Sequence, residues 1–257
     1  MKSLEESVVT AMDGSDKELF PFLPYILQDL WEIGTDPELV IQLIRKRFPG
    51  TANLRILDLG CGKGAVSVNV ARRLGCCCHG IDAIPEFIEF ARQKAREYGV
   101  IGCCTFETGD IREMAAQFSG WDVVILGAIG PVFGDYLTTL KTLSPCLSPG
   151  GVFIIDDGYI EDNSSFRHPL IQKRGIIRKQ IETAGMELLD EIVVEKETLR
   201  KDDRDIFDHL EKRCRELMHQ YPDKRPLFLN YISRQKAEND VLENKIIASV
   251  IMIGRKH

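Results

Sequence analysis

Arg55–Gly64 reads R-I-L-D-L-G-C-G-K-G, and this stretch decides the fold. Ile56, Leu57 and Leu59 form a short apolar run interrupted by Asp58, as at the end of a buried parallel strand. Gly60, Gly62 and Gly64 follow at once. Ala65–Leu74 then has helical periodicity, with Val66, Val70 and Leu74 on one side and Arg72 and Arg73 on the other. Strand, glycine turn and helix together make a nucleotide-binding element. Glycines let the backbone turn tightly and keep Cβ atoms out of a ligand's way, and the helix N-terminus offers N–H groups with no intrahelical partner. The nucleotide itself stays open. Gly60-x-Gly62-x-x-Ala65 also satisfies the dinucleotide pattern, with Asp82 near the distance where that pattern expects a ribose-binding acid.

Downstream, the chain alternates strands and helices. Cys76–Ile81 is an apolar run ending in Asp82. Pro85–Tyr98 is an amphipathic helix with Phe87, Ile88, Ala91, Ala95 and Tyr98 inward, stopped by Gly99. Cys103–Glu107, Trp121–Leu126 and Val152–Ile155 read as the third, fourth and fifth strands, and Phe133, Tyr136, Leu137 and Leu140 suggest a helix beyond the fourth. The spacing predicts a helix over His168–Ala184 and a sixth strand over Met186–Val194. In Lys196–Asn239 two helices stand before a final buried strand, Lys245–Ile253; Asp202 and Asp205 are the caps expected for the first of them. Upstream, Asp16 caps an irregular helical stretch carrying Pro21 and Pro24, and Asp36-Pro37 starts a second helix with Leu39, Leu43 and Ile44 in its buried stripe.

The landmarks after the glycine loop decide between the nucleotides. Asp58 precedes the glycines, Asp82 ends the second strand, Gly109-Asp110-Ile111 follows the third, and Gly127-Ala128 follows the fourth. Leu147-Ser-Pro-Gly-Gly151 turns into the fifth. This set, over roughly residues 30–157, resembles the class I S-adenosylmethionine-dependent methyltransferases of the small-molecule, ubiquinone/menaquinone-biosynthesis type. The resemblance implies an α/β fold, a doubly wound seven-stranded sheet of order 3-2-1-4-5-7-6 with the last strand antiparallel. It implies S-adenosylmethionine as cofactor, held by Asp58, Gly60, Cys61, Gly62 and Gly64. Asp82 would take the ribose hydroxyls, Ala83 would leave room for adenine, Asp110 and Ile111 would meet the adenine edge, and Gly127 would clear space for the methyl group. The N-terminal helices of residues 1–50 would cover the cleft, with Tyr25 and Trp31 as candidate lining residues. Residues 196–240 would form a lid or an oligomer contact within one domain spanning 1–257.

Composition bounds the rest. The chain has 257 residues, 44% hydrophobic and 28% charged, with net charge −6. That composition supports a packed core and argues against broad phosphate-backbone binding, so no nucleic-acid partner is expected. No apolar run approaches the roughly 20 residues that span a bilayer, so no membrane partner is expected either. Met1–Asp16 has no apolar leader core, which makes a cytoplasmic protein the expectation. The eight cysteines lie in adjacent runs, Cys76-Cys77-Cys78 and Cys103-Cys104, or singly; without ligand spacing they read as small apolar residues of a reduced protein, with no metal site.

Methyl transfer needs alignment and exclusion of water more than any one catalytic group, so no catalytic residue is assigned. Asp157, Tyr159, Glu161, His168, Tyr136 and His209 are the candidate bases. Asp156 or Asp157 could serve a catechol-type metal site, but Gly127 stands where that site needs an acid. The acceptor is expected to be a small molecule and the chain a monomer or homodimer. Two alternatives stay open: a nicotinamide-dependent oxidoreductase on the same loop, and a cofactor-binding protein without turnover.

Overall fold

The computed structural model describes residues 2–256. The chain opens with α1 (Leu4–Ala11) and α2 (Leu23–Ile26), with a 3₁₀ turn over Lys17–Phe22 between them. Helix α3 (Pro37–Arg47) leads into β1 (Arg55–Leu59), α4 (Ala65–Leu74), β2 (Cys77–Asp82), α5 (Pro85–Glu97) and β3 (Cys104–Thr108). The short α6 (Ile111–Met114) precedes β4 (Trp121–Gly127), α7 (Tyr136–Leu143), β5 (Leu147–Tyr159), α8 (Arg174–Thr183) and β6 (Met186–Val193). Helices α9 (Lys196–Gln220) and α10 (Arg225–Lys245) come before β7 (Ile247–Arg255).

These elements form two compact units: one up to Trp31 with Val194–Ile247, the other Glu32–Val193 with Ala248 onward. In the helical unit, α9 buries Leu210, Cys214, Leu217 and Met218, and α10 buries Phe228 and Tyr231. The Phe22 ring meets Tyr221 and Phe228 edge-on, at centroid distances of 5.2 and 5.1 Å. Arg213 grips Asp29 with two nitrogens at 2.6 and 2.7 Å, and Glu216 accepts from both Arg213 and the Tyr25 hydroxyl. Such forked pairs fix orientation better than single contacts.

The other unit is built on the seven-stranded sheet, in the order β3-β2-β1-β4-β5-β7-β6 that the family resemblance implies. Strands β1 to β5 pair in parallel, and β7 runs antiparallel to β6. Their apolar runs follow from burial on both faces: Ile56, Leu57, Val123, Val124, Phe153 and Ile154 have no exposed surface. β1 lies between β2 and β4, where the winding direction reverses, so a crevice opens beyond its carboxyl end. Register brings the candidates to one edge: Leu59 lies beside Ile81, Asp82 beside Thr108, and Gly127 beside Asp156.

Two expectations need correction. The helix expected over His168–Ala184 begins only at Arg174. The His168 ring takes the N–H groups of Leu170 and Ile171 through Nδ1, Pro169 has none to give, and Gln172 and Arg174 exchange backbone bonds with Ile160. Asp202 and Asp205 do not cap α9. The helix already starts at Lys196, with Glu195 as N-cap, and both aspartates lie exposed within it. No glycine or proline breaks Lys196–Gln220, so the helix extends beyond its apolar stripe.

Candidate functional site

The glycine loop joins β1 to α4. Gly60 and Cys61 both donate to the Ile81 carbonyl, at 2.8 and 2.9 Å, and Gly64 donates to the Cys61 carbonyl, so the loop closes on itself and on β2. Gly64 is the N-cap of α4 with φ +73°, and a Cβ there would lie 2.7 Å from the Ala91 Cβ. Only glycine allows α4 and α5 to pack so closely. Gly62 differs. Its φ is +52°, and a Cβ built on it would meet no protein atom within 4 Å. Its surroundings are open, so this glycine exposes backbone rather than relieving a clash.

Asp82 ends β2 and closes the loop from the other side. Its Oδ2 accepts the Gly62 N–H at 2.9 Å and its Oδ1 accepts the Ile84 N–H at 2.9 Å. The carboxylate also accepts from the Ala83 N–H, and retains lone-pair capacity for a further donor. Burial pushes this carboxyl up to about 6, against the pull of its backbone donors. Asp58, on β1, is 2% exposed and accepts the Ser67 hydroxyl at 2.7 Å. Burial, with Asp82 nearby, lifts it to about 6 as well. The Cys61 thiol is buried and pushed well up by that burial, which leaves it protonated and inert. Ala83 follows Asp82 and adds a backbone hydrogen bond to its carboxylate.

Beyond β3, Gly109 donates to the Asp82 carbonyl at 2.9 Å, drawing the third strand's end to the second's. Asp110 caps α6 by accepting the Arg112 N–H at 2.9 Å, and Ile111 is buried behind it. The Arg112 guanidinium also clasps this carboxylate, through Nε at 2.9 Å and Nη2 at 2.6 Å, and holds it below its usual range. The carboxylate expected at the adenine edge is thus already engaged by a cation. At the end of β4, a Cβ on Gly127 would come within 2.7 Å of the Thr35 Oγ1. Ala128 follows with φ +54°, a strained conformation for a residue with a Cβ.

The structure therefore gathers Asp58, Gly60, Cys61, Gly62, Gly64, Asp82, Ala83, Asp110, Ile111 and Gly127 along the carboxyl ends of four neighbouring strands. Of the candidate bases, Tyr136 and Asp157 meet: the phenol donates to Asp157 Oδ2 at 3.2 Å. His168 uses Nδ1 to hold its own loop, and Glu161 is exposed. Tyr25 and His209 make their contacts within the helical unit, to Glu216 and to the Asp205 carbonyl, and Trp31 belongs to that unit too.

Several residues of the edge escaped the sequence reading. Lys63, inside the glycine loop, is 4% exposed, with Nζ 4.8 Å from the Phe90 ring centre and 5.5 Å from that of Phe87. Phe87 and Phe90 stand three apart on α5, which was the available signal. Thr35 and Arg112 left none: one lies in an irregular segment, the other on a helix of one turn.

Comparison with known proteins adds the family. A family model described as a methyltransferase domain matches residues 51–199. A sterol 24-C-methyltransferase of Debaryomyces hansenii is 28% identical over 156 residues, covering 53% of this chain and 40% of that protein. A ubiquinone biosynthesis O-methyltransferase of Cereibacter sphaeroides is 34% identical over 101 residues, 39% of this chain and 40% of that protein. Each match thus spans well under half of the relative. Among solved structures, a SAM-dependent methyltransferase from Geobacter sulfurreducens in complex with S-adenosyl-L-homocysteine superposes with TM-score 0.75 at 17% identity, covering 92% of this chain and 98% of that one. At that identity the likeness is one of fold.

Proposed function

We propose, since this chain belongs to the methyltransferase-domain family, that it transfers the methyl group of S-adenosylmethionine to a small-molecule acceptor. The observation that carries this reading is the closure of the Gly62 backbone by Asp82 at the sheet's reversal point. Backbone amides of Gly62, Ala83 and Ile84 fix that carboxylate in place and leave it lone-pair capacity for a ribose hydroxyl. The open space over Gly62 suits the rest of a nucleoside, since a Cβ there would fill it. The cofactor supplies a sulfonium methyl group that is already activated.

The residues of the site have correspondingly modest tasks. Asp82 orients the sugar, the loop from Gly60 to Gly64 lies against the chain beyond it, and Ile111 offers apolar cover at the base. Gly127 keeps side-chain bulk away from the end of β4. Orientation and exclusion of water then supply most of the lowering of the barrier. A small-molecule acceptor is supported by the sterol and ubiquinone-precursor methyltransferases among the relatives. We place the protein in the cytoplasm: among the described residues no helix is long and apolar enough to cross a membrane, and the cysteines are unpaired. The experiment is transfer of label from methyl-labelled S-adenosylmethionine to a panel of phenols, amines and sterols. Labelled product with stoichiometric S-adenosylhomocysteine is expected, and its absence across the panel contradicts turnover.

A further inference from the structure

A cleft opens next to the glycine loop, and it has an acidic floor. A Cβ on Gly60 would lie 2.5 Å from Ile129 Cγ2, so the loop touches Ile129 directly. Ile129 in turn lines a cleft of about 360 Å³, together with Leu126, Phe133, Ile155 and Leu170. A volume of that order is typical of small-molecule sites. Its polar side chains include Asp156 and Asp157, from the end of β5, and Tyr136, from the start of α7, with Asp135, Thr139 and Gln172 also in the lining. The two aspartates are not equivalent. Asp157 is committed: Oδ1 accepts the Gly158 N–H at 2.7 Å and Oδ2 accepts the Tyr136 hydroxyl at 3.2 Å. Asp156 has the Thr35 hydroxyl as its polar neighbour and lies beside Gly127 in the sheet.

We propose that this cleft takes a neutral, largely apolar acceptor bearing a hydroxyl group, and that Asp156 receives the hydroxyl proton during transfer. The proposal rests on the methyltransferase reading above and deepens it. The hydroxyl proton moves to a carboxylate oxygen of Asp156 and the acceptor oxygen bonds to the methyl carbon. The carbon–sulfur bond breaks with its electron pair left on sulfur. No oxidant, metal or further reactant is needed to balance that step.

The charges around Asp156 support both parts. Asp157 lies on its own strand, Asp36 precedes α3, and Asp135 and Tyr136 stand at the start of α7. On α8, Arg174 and Arg178 share a small adjoining cleft with Asp157, and Arg174 is held by Glu191 at 2.6 Å. Among the described residues no cation pairs with Asp156 or Asp157. An anionic acceptor would be repelled from such a site, and a neutral one would not. Burial first, then Asp157 and Asp36, lift Asp156 to about 7, where a carboxyl group serves well as a proton acceptor at neutral pH.

The test uses the full chain saturated with S-adenosylhomocysteine and three matched probes: 2-naphthol, its methyl ether, and 2-naphthoate. Calorimetry is expected to show 2-naphthol bound at least tenfold tighter than either other probe, with affinity rising as pH passes about 7. In Asp156→Asn that pH dependence is expected to vanish and the preference over the methyl ether to fall at least tenfold, with S-adenosylhomocysteine affinity within twofold of the wild type. The wild-type pH series does not depend on how the variant folds. Equal binding of 2-naphthoate, no binding of 2-naphthol, or an unaltered pH profile in Asp156→Asn overturns the proposal. Failure of S-adenosylhomocysteine to bind the wild-type chain overturns instead the reading on which it rests.

Discussion

Asp82 Oδ2 accepts the backbone N–H of Gly62 at 2.9 Å, tying the end of the second strand to the middle of the glycine loop across 20 positions of sequence. One carboxylate thus shapes the loop and faces the space beside it. Replacing it by alanine removes both functions. Asp82→Ala is expected to weaken S-adenosylmethionine binding by ~1–3 kcal/mol, the range for polar groups left without partners. Asp82→Asn, which keeps one acceptor oxygen, is expected to fall between. Calorimetric titration of both variants checks this, and unchanged affinity in Asp82→Ala contradicts the role assigned to the residue.

Gly62 and Gly64 both adopt positive φ, at +52° and +73°, but only Gly64 has neighbours where a side chain would go. Gly62→Ala therefore carries only the backbone strain of about 1–2 kcal/mol, together with a methyl group in the ligand's space. Gly64→Ala adds a clash with Ala91 and Phe106. Urea denaturation is expected to show the larger stability loss for Gly64→Ala. Calorimetry is expected to show at least tenfold weaker cofactor binding for a Gly62→Ala chain that still folds. The reverse ranking in stability would count against the loop geometry.

Asp58 gives the protein a pH dependence of definite sign. Its carboxyl is raised from 3.8 to about 6 in the folded chain, so between those values the folded state holds a proton that the unfolded state has lost. Stability contributed by this group is full below pH ~4, declines as pH rises to ~6, and stays low above. Asp58→Asn, whose amide oxygen can still accept from Ser67, is expected to stabilise the fold at pH 7 by about 1–3 kcal/mol and to flatten that decline. Part of the decline remains, from Asp82, Asp156, Asp13 and Asp203, whose carboxyls burial also raises. Denaturant midpoints measured from pH 4 to 8 test the sign; a wild-type chain that gains stability over that window refutes it.

The cysteines divide by exposure. Cys77 is exposed and Cys103 intermediate, while Cys61, Cys76, Cys78, Cys104, Cys146 and Cys214 are buried. Titration of the native protein with a thiol reagent is expected to give one fast equivalent from Cys77 and a slower one from Cys103, and the other six only after denaturation. Rapid reaction of more than two would mean that the strands carrying them are not packed as described.

The sheet was legible because the central strands β4 and β5 wrote their burial on both faces as continuous apolar runs, and because strand ends carried small or acidic landmarks. Asp82 and Gly127 stand at such ends, beside Thr108 and Asp156, and Asp58 lies one residue before the end of β1. What escaped was set by contacts between distant segments. Nothing local marks Thr35 as the neighbour of Gly127 and Asp156. The start of α8 escaped because the backbone groups of residues 170–174 bond to His168 and Ile160, which periodicity does not record. Asp202 and Asp205 show the opposite failure: good capping residues lie within a helix when nothing upstream breaks it.

The central claim is that Asp82 and the glycine loop hold the adenosine portion of a sulfonium cofactor. Isothermal calorimetry of the full chain with S-adenosylmethionine, S-adenosylhomocysteine and NADH tests it most directly. One equivalent each of the first two, competing for one site, with no heat from NADH, is the expected result. Saturable binding of NADH, with neither adenosyl compound bound, would contradict it.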